Sequence, residues 1–191
     1  MAPRYPENAG RCSRRRLLVV LLAGLFLGSA LPDGARAESA MGQDKFKPGD
    51  KAPDFVAKDL TGKEIKLSSY AGKQVVLLNF WGLRCGACLE EMPYLDAIGK
   101  AYADKGLAVL GVDTDGVDAK TIVETLKEVN VGVSYPLLVD EDFKITDVYT
   151  NFMVPLTIVI DKGGSIGYIH TGFEKGTEKK YEEAVKKALG I

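Results

Sequence analysis

The sequence predicts an α/β fold in which helices flank a central mixed β-sheet. A largely apolar run rich in β-branched residues, Val75–Trp81, predicts a strand buried on both faces. Apolar residues at three- and four-residue spacing follow and predict a helix, and Leu107–Val112 predicts the next strand. This order favours a parallel pair joined by a right-handed crossover. The turn Asp161–Gly164 between two later strands predicts an antiparallel hairpin, which makes the sheet mixed.

The first residues, 1–37, have the pattern of a cleaved signal peptide. Arginines at 11 and 14–16 form a positive region, and a long apolar run covers Leu17–Leu31. Ala35-Arg36-Ala37 provides small residues at the spacing that a signal peptidase recognises, so we expect cleavage before Glu38. The protein is therefore expected to be periplasmic or otherwise exported. The alternative is an uncleaved membrane anchor, but the run is shorter than the roughly 20 residues of a membrane span.

Cleavage changes the charge and the cysteine count. Residues 1–37 hold six of the 25 basic and two of the 26 acidic residues, which leaves a net charge of −5. This mildly acidic chain has no basic field for nucleic acid. Cys12 is also removed, so Cys85 and Cys88 remain as one close pair, and a disulfide-stapled scaffold is excluded. Residues 38–47 are expected to be a linker and residues 48–191 a single domain.

The elements before the central strand form an N-terminal hairpin. A short strand near Phe55–Lys58 and its partner Glu64–Leu67 flank the turn Asp59–Lys63. Ser68–Tyr70 predicts a helical turn with a serine cap. After the central strand, the helix is expected from about Ala87 to Tyr102.

The elements after Leu107–Val112 alternate between helices and strands. In chain order they are a helix at Asp118–Val129 with Ile122, Leu126 and Val129 on its apolar face, a strand at Tyr135–Val139, a short helix at Phe143–Tyr149, strands at Thr157–Ile160 and Ser165–His170, and a last helix at Thr177–Leu189.

The cysteine pair lies where the central strand meets the long helix. Free N–H groups and the helix dipole stabilise negative charge at a helix N-terminus, so Cys85 should ionise more easily than a free thiol. A thiolate is the nucleophile of thiol–disulfide exchange, and Cys88 is close enough to resolve a mixed disulfide. The chemistry predicted from the pair is redox exchange.

Several motifs together resemble a known family. They are Phe80-Trp81, Cys85-Gly86-Ala87-Cys88, Glu91-Met92-Pro93, Pro155-Leu156-Thr157, Asp161-Lys162-Gly163-Gly164 and the opening Pro48–Phe55. The set is similar to the TlpA-like and ResA-like exported branch of the thioredoxin-fold proteins, which is related to the AhpC/TSA redoxins. The resemblance implies a thioredoxin-like fold with an extra helix–strand insert between Cys88 and Pro155.

The resemblance also implies a function. Members of this branch are protein-disulfide oxidoreductases that reduce disulfides outside the cytoplasm. Haem-binding Cys-x-x-Cys-His segments of apocytochrome c are candidate substrates, in cytochrome c maturation, and a membrane thiol carrier would supply the electrons. No organic cofactor and no metal are implied.

The resemblance assigns roles to individual residues. Cys85 would attack and Cys88 would resolve, with Trp81 beside the pair. Pro155 would be cis and opposite the cysteines, and its turn would expose the backbone of Val154 for pairing with an extended substrate.

Other roles stay open. Arg84 stands where family members usually have Trp, and its charge either stabilises the Cys85 thiolate or contacts a partner protein. Asp113 and Asp115 are candidate proton acceptors for Cys88, although strand-end or turn aspartates explain them equally well.

Two rival functions remain. A peroxiredoxin-like thiol peroxidase usually has Thr three residues before its reactive cysteine, where this chain has Gly82. A non-enzymatic metal-binding thioredoxin-fold module would need four zinc ligands, and the mature chain offers only His170 as a good ligand besides the two cysteines.

Overall fold

The computed structural model describes residues 45–191, so the predicted signal peptide and most of the linker lie outside the described residues. In chain order the elements are β1 (Val56–Asp59), β2 (Glu64–Lys66), a 3₁₀ turn (Leu67–Tyr70), β3 (Val75–Trp81), α1 (Gly86–Tyr102), a 3₁₀ turn (Ala103–Lys105), β4 (Leu107–Asp113), α2 (Ala119–Glu128), β5 (Leu137–Val139), α3 (Thr146–Tyr149), β6 (Leu156–Ile160), β7 (Ile166–Thr171) and α4 (Thr177–Leu189). Within this part of the chain, no helix has both the length and the apolar character that crossing a membrane requires.

The strands of residues 45–191 form one seven-stranded mixed sheet in the order β2-β1-β5-β4-β3-β6-β7. β3 and β4 are parallel over their whole length, from Val75 opposite Leu107 to Trp81 opposite Asp113. β6 runs antiparallel to β3, and β7 antiparallel to β6. The predicted mixed sheet and N-terminal hairpin are confirmed, and α2 and β5 are the predicted helix–strand insert.

The central strand has a hydrophobic core on each side. Every residue of β3 is buried, which accounts for its largely apolar sequence. Val75, Leu77 and Trp81 share a core with Met92 of α1 and Tyr181 of α4. The alternate residues of β3 face a second core, which includes Leu67, Ile145 and Tyr149.

Two local expectations are wrong. The 3₁₀ turn begins at Leu67 without a serine cap, and the Ser68 N–H instead donates to the carboxylate of Asp54 at 2.8 Å. Val129 does not belong to the buried face of α2, because the helix ends at Glu128 and the Val129 side chain is 44% exposed.

A buried carboxylate fixes the segment that leads to β6. Asp140 is 3% exposed and accepts hydrogen bonds from the N–H groups of Ile145 and Thr146, and from the Thr146 hydroxyl. These bonds satisfy donors at the start of α3 that have no partner within the helix. Asp140 therefore holds α3, from which the chain continues to the Val154–Pro155 turn.

We expect the substitution Asp140→Ala to lower the free energy of unfolding by about 1–3 kcal/mol, because it leaves buried N–H groups without an acceptor. Urea denaturation measures this change. The matched control is Asp142→Ala, which removes an exposed carboxylate that pairs with Lys144 and should have a much smaller effect on the free energy of unfolding. Equal losses in the two variants would show that Asp140 does not hold α3.

Candidate active site

The cysteine pair lies at the start of α1. Cys85 is the N-cap residue, and its Sγ accepts a hydrogen bond from the Cys88 N–H at 3.1 Å. A disulfide joins the two residues, with their Cα atoms 5.2 Å apart. Cys88 is fully buried, whereas Cys85 is partly exposed. A substrate sulfur therefore reaches Cys85 first.

The electrostatics at this helix end favour a thiolate when the pair is reduced. The first turn of α1 carries no acidic side chain. The free N–H groups and the helix dipole therefore act on Cys85 without an opposing charge in that turn.

The loop before the pair is held from the β4 side of the site. The Leu83 N–H donates to the Asp115 carboxylate at 2.5 Å, and the Thr114 N–H donates to the Trp81 carbonyl at 2.9 Å. Asp115 thus positions the loop that carries Cys85, and its carboxylate is already engaged there.

The Val154–Pro155 peptide is cis, as predicted, and its turn lies against the cysteines. The Val154 carbonyl oxygen is 3.7 Å from Cys85 Sγ. The Pro155 carbonyl accepts the Gly172 N–H at 2.7 Å, which ties the turn to the end of β7. The cysteine loop and the proline turn therefore form two walls of one site.

A buried hydrogen-bonded group lies below α1. Asn79 Nδ2 donates to Glu91 Oε2 at 2.8 Å and to Thr157 Oγ1 at 3.0 Å, and Thr157 Oγ1 donates to Glu91 Oε1 at 3.0 Å. All three residues are fully buried. Burial raises the pKa of Glu91 from 4.5 to about 7, against hydrogen bonds that favour the charged form. The carboxyl therefore changes its protonation near neutral pH.

Sequence reasoning missed Glu91 as a site residue. Cys88 and Glu91 are three residues apart on α1, so they lie on the same face of the helix. The series Cys88, Glu91, Leu95, Ile98 has the spacing of the buried face, and all four are buried. The signal that could have found the residue is an acidic side chain in register with this apolar stripe.

Asp113 is a second buried carboxyl, at the end of β4 next to Trp81 of β3. Burial, and then the charge of Asp115, raise its pKa to about 7. Trp81 is fully buried in the same core as Cys88, and its packing beside the pair stays a prediction. The structure thus keeps Asp113 as a candidate proton acceptor and adds Glu91.

Polar atoms without partners extend this region along one side of the sheet. Four buried side-chain atoms of the described chain make no hydrogen bond: Asn79 Oδ1, Trp81 Nε1, Asp113 Oδ1 and Tyr135 OH. Gly111 lies among them, and a Cβ there would come within 3.3 Å of Trp81 Nε1 and 3.1 Å of the Tyr135 ring. The absence of a side chain at Gly111 lets these groups approach the strand.

Arg84 is exposed, and within residues 45–191 its guanidinium makes no ion pair. Its role in thiolate stabilisation or partner contact stays a prediction. The His170 ring lies against Tyr168 and Tyr181, at centroid distances of 6.3 and 6.0 Å. Among the described residues, no group of three or more His, Cys, Asp or Glu side chains is placed to hold a metal ion.

Comparisons with known proteins agree with this geometry. Residues 48–169 match the AhpC/TSA family. The thiol-disulfide oxidoreductase ResA of Geobacillus thermodenitrificans is 37% identical over 139 residues, covering 72% of this chain and 78% of that protein. ResA of Bacillus cereus (strain ATCC 10987 / NRS 248) is 31% identical over 172 residues, covering 90% and 94%.

A solved structure shares the fold. A thiol:disulfide interchange protein from Bacteroides sp. superposes with a TM-score of 0.60 at 27% identity, covering 76% of this chain and 91% of that one. The thioredoxin-like fold is therefore confirmed.

We expect Glu91→Gln to change how stability depends on pH in the oxidised protein. Because burial raises the native-state pKa of Glu91 to about 7, wild-type stability falls as pH rises from about 4.5 to 7. The variant lacks this loss, so its unfolding free energy relative to wild type should rise from pH 5 to pH 8, by as much as about 3 kcal/mol. Denaturation at several pH values measures this difference.

The matched control for this experiment is Glu90→Gln, an exposed neighbour on the same helix that pairs with Lys175. It should not change the pH dependence. A Glu91→Gln variant that follows wild type in parallel across this range would show that Glu91 is ionised throughout.

Proposed function

Because this chain belongs to the AhpC/TSA family and is a thiol–disulfide oxidoreductase, we propose that it is exported and reduces the disulfides of other proteins outside the cytoplasm. The observation that carries this proposal is the placement of the Cys85–Cys88 disulfide. Cys85 is partly exposed, and its sulfur caps a helix and lies 3.7 Å from the Val154 carbonyl, while Cys88 is fully buried.

In the proposed reaction, the Cys85 thiolate attacks one sulfur of a substrate disulfide. A bond forms between Cys85 and that sulfur, and the other substrate cysteine leaves as a thiolate. Cys88 then attacks the Cys85 sulfur and releases the substrate as a dithiol. The substrate gains two electrons, and the protein is left with its Cys85–Cys88 disulfide.

Cys88 must lose its proton to attack. Glu91 lies on the Cys88 face of α1, is fully buried, and has a pKa near 7. A carboxylate of that basicity is matched to general-base work at neutral pH. We assign proton acceptance to Glu91, with Asp113 as the second candidate. Asp115 is assigned to holding the cysteine loop through the Leu83 N–H.

The second wall of the site would bind the substrate backbone. The cis proline turn presents Val154 beside Cys85, where an extended segment could pair with it as a strand. Trp81 would support the pair from the core, and the exposed Arg84, which is adjacent to Cys85, would contact an approaching partner.

The proposed cellular role follows from the resemblance to the ResA-like branch. Apocytochrome c segments with Cys-x-x-Cys-His are the proposed substrates, and a membrane thiol carrier would reduce the Cys85–Cys88 disulfide after each turnover. The proposed export rests on the signal-peptide pattern of residues 1–37.

We expect the Cys88→Ser variant to accumulate mixed disulfides with partner proteins, because Cys85 can still attack but nothing releases the product. Cys85→Ser should form none, since the remaining thiol is buried. Non-reducing electrophoresis of the extracytoplasmic fraction, followed by mass spectrometry, identifies the trapped partners. Mixed disulfides on Cys88 instead of Cys85 would reverse the assigned roles, and rapid peroxide consumption by wild type would favour the peroxidase alternative.

A further inference from the structure

Two large apolar side chains are exposed directly beside the site. Phe152 is 61% exposed and Met153 is 54% exposed, and they immediately precede Val154. The other large apolar side chains exposed within residues 45–191 are single aliphatic residues: Val56, Val123, Val129, Val148 and Ile191. Within the described residues, Phe152 and Met153 are therefore the one pair of adjacent, exposed, large apolar side chains. We call this pair the apolar platform.

The loop holds Phe152 of the platform in a defined conformation. The Phe152 N–H donates to Thr150 Oγ1 at 3.0 Å, and Thr150 is 2% exposed. Phe152 has a φ of 59°, a left-handed conformation that is unfavourable for a bulky residue. Residues held in such sparsely populated conformations cluster at active sites, ligand clamps and switch regions.

A row of contacts connects the platform to the cysteine loop. The Phe152 ring meets the edge of the Phe143 ring at a centroid distance of 6.4 Å. Phe143 lies on Gly116, where a Cβ would come within 2.2 Å of the ring. Gly116 follows Asp115, which accepts the Leu83 N–H just before Cys85. The position of the platform is thus tied to the position of the reactive sulfur.

We propose that the apolar platform binds a large apolar side chain that lies two or three residues from the reacting cysteine of a substrate polypeptide. This inference rests on the proposed disulfide reduction and names its substrate class. The substrate sulfur must lie at Cys85 Sγ, which is 3.7 Å from the Val154 carbonyl. Phe152 is two residues from Val154, at most about 7 Å along the chain, and an extended substrate covers that distance in about two residues.

The geometry selects non-native polypeptides. Large apolar side chains are mostly buried in folded proteins, so an extended segment that offers one beside a cysteine is unfolded or newly exported. Met153 adds a flexible, polarisable contact that accepts side chains of different shape. A second copy of this chain is a weaker occupant, because covering the platform would also cover Cys85.

Two synthetic peptides test the platform. Each carries one cysteine coupled as a mixed disulfide to thionitrobenzoate, whose release is followed by absorbance. One peptide has Leu at the second and third positions on both sides of the cysteine, and the other has Ser there. The reduced wild-type protein should react about tenfold faster with the Leu peptide, as expected for burial of one such side chain.

The test variant is Phe152→Asn combined with Met153→Ser, since Asn tolerates the left-handed conformation. Its rate with the Leu peptide should fall to the Ser-peptide value, while its rates with the Ser peptide and with a small hydrophilic disulfide stay within twofold of wild type. The matched control, Val123→Ser, removes an exposed apolar side chain of α2 and should change none of the rates.

Three outcomes would overturn the proposal. Equal wild-type rates with the two peptides would show that Phe152 and Met153 bind no apolar side chain of the substrate. The proposed disulfide reduction would be unaffected by that result. A wild-type protein that reacts with the small disulfide but with neither peptide would also overturn the proposed function. A concentration-dependent dimer in sedimentation, broken by the double variant, would show that a second copy covers the platform.

Discussion

The hydrogen bonds among Asn79, Thr157 and Glu91 are the constraint on which the site depends. Asn79 and Thr157 are opposite each other on β3 and β6, and Glu91 joins them from α1. α1 begins beside Cys85, and β6 begins just after Pro155. One buried group therefore fixes the reactive sulfur against the turn that faces it, and places a carboxyl on the Cys88 face of the same helix.

This arrangement has a cost in stability. Glu91 and Asp113 are both fully buried, and burial raises both pKa values to about 7. Above that pH each would be a charged group in a low-dielectric interior, which disfavours folding. Perturbed carboxyls of this kind are typical of sites that move protons, where stability is given up for reactivity. The apolar platform has a similar cost in stability at the surface, because the exposed ring of Phe152 is carried by an unfavourable backbone conformation.

Much of the fold could be predicted because its determinants are local. The apolar run of β3, the spacing of α1 and the turn at Asp161–Gly164 each define an element, and the Cys-x-x-Cys motif marks the reactive end. The cis peptide at Pro155 could be predicted from the combined motifs.

The remaining features depend on contacts between residues distant in the sequence. Asp54 caps the turn at Ser68 from 14 residues away, so a serine cap was the natural but wrong prediction. The Asp115 carboxylate accepts a hydrogen bond from the N–H of Leu83, which lies 32 positions earlier in the chain. Glu91 resembles an ordinary helix-surface charge until the sheet below it is known. The platform could not be predicted from hydrophobic periodicity, because Phe152 and Met153 belong to no helix or strand.

Stopped-flow measurement of mixed-disulfide resolution shows whether Glu91 takes the proton from Cys88. Reduced protein is mixed with a peptide mixed disulfide, and the rate of release by Cys88 is followed against pH. We expect a wild-type rate that rises through an inflection near pH 7, and a Glu91→Gln variant that lacks the inflection and is slower by at least about tenfold at neutral pH. An inflection that persists in Glu91→Gln and disappears in Asp113→Asn would show that Asp113, and not Glu91, accepts the proton.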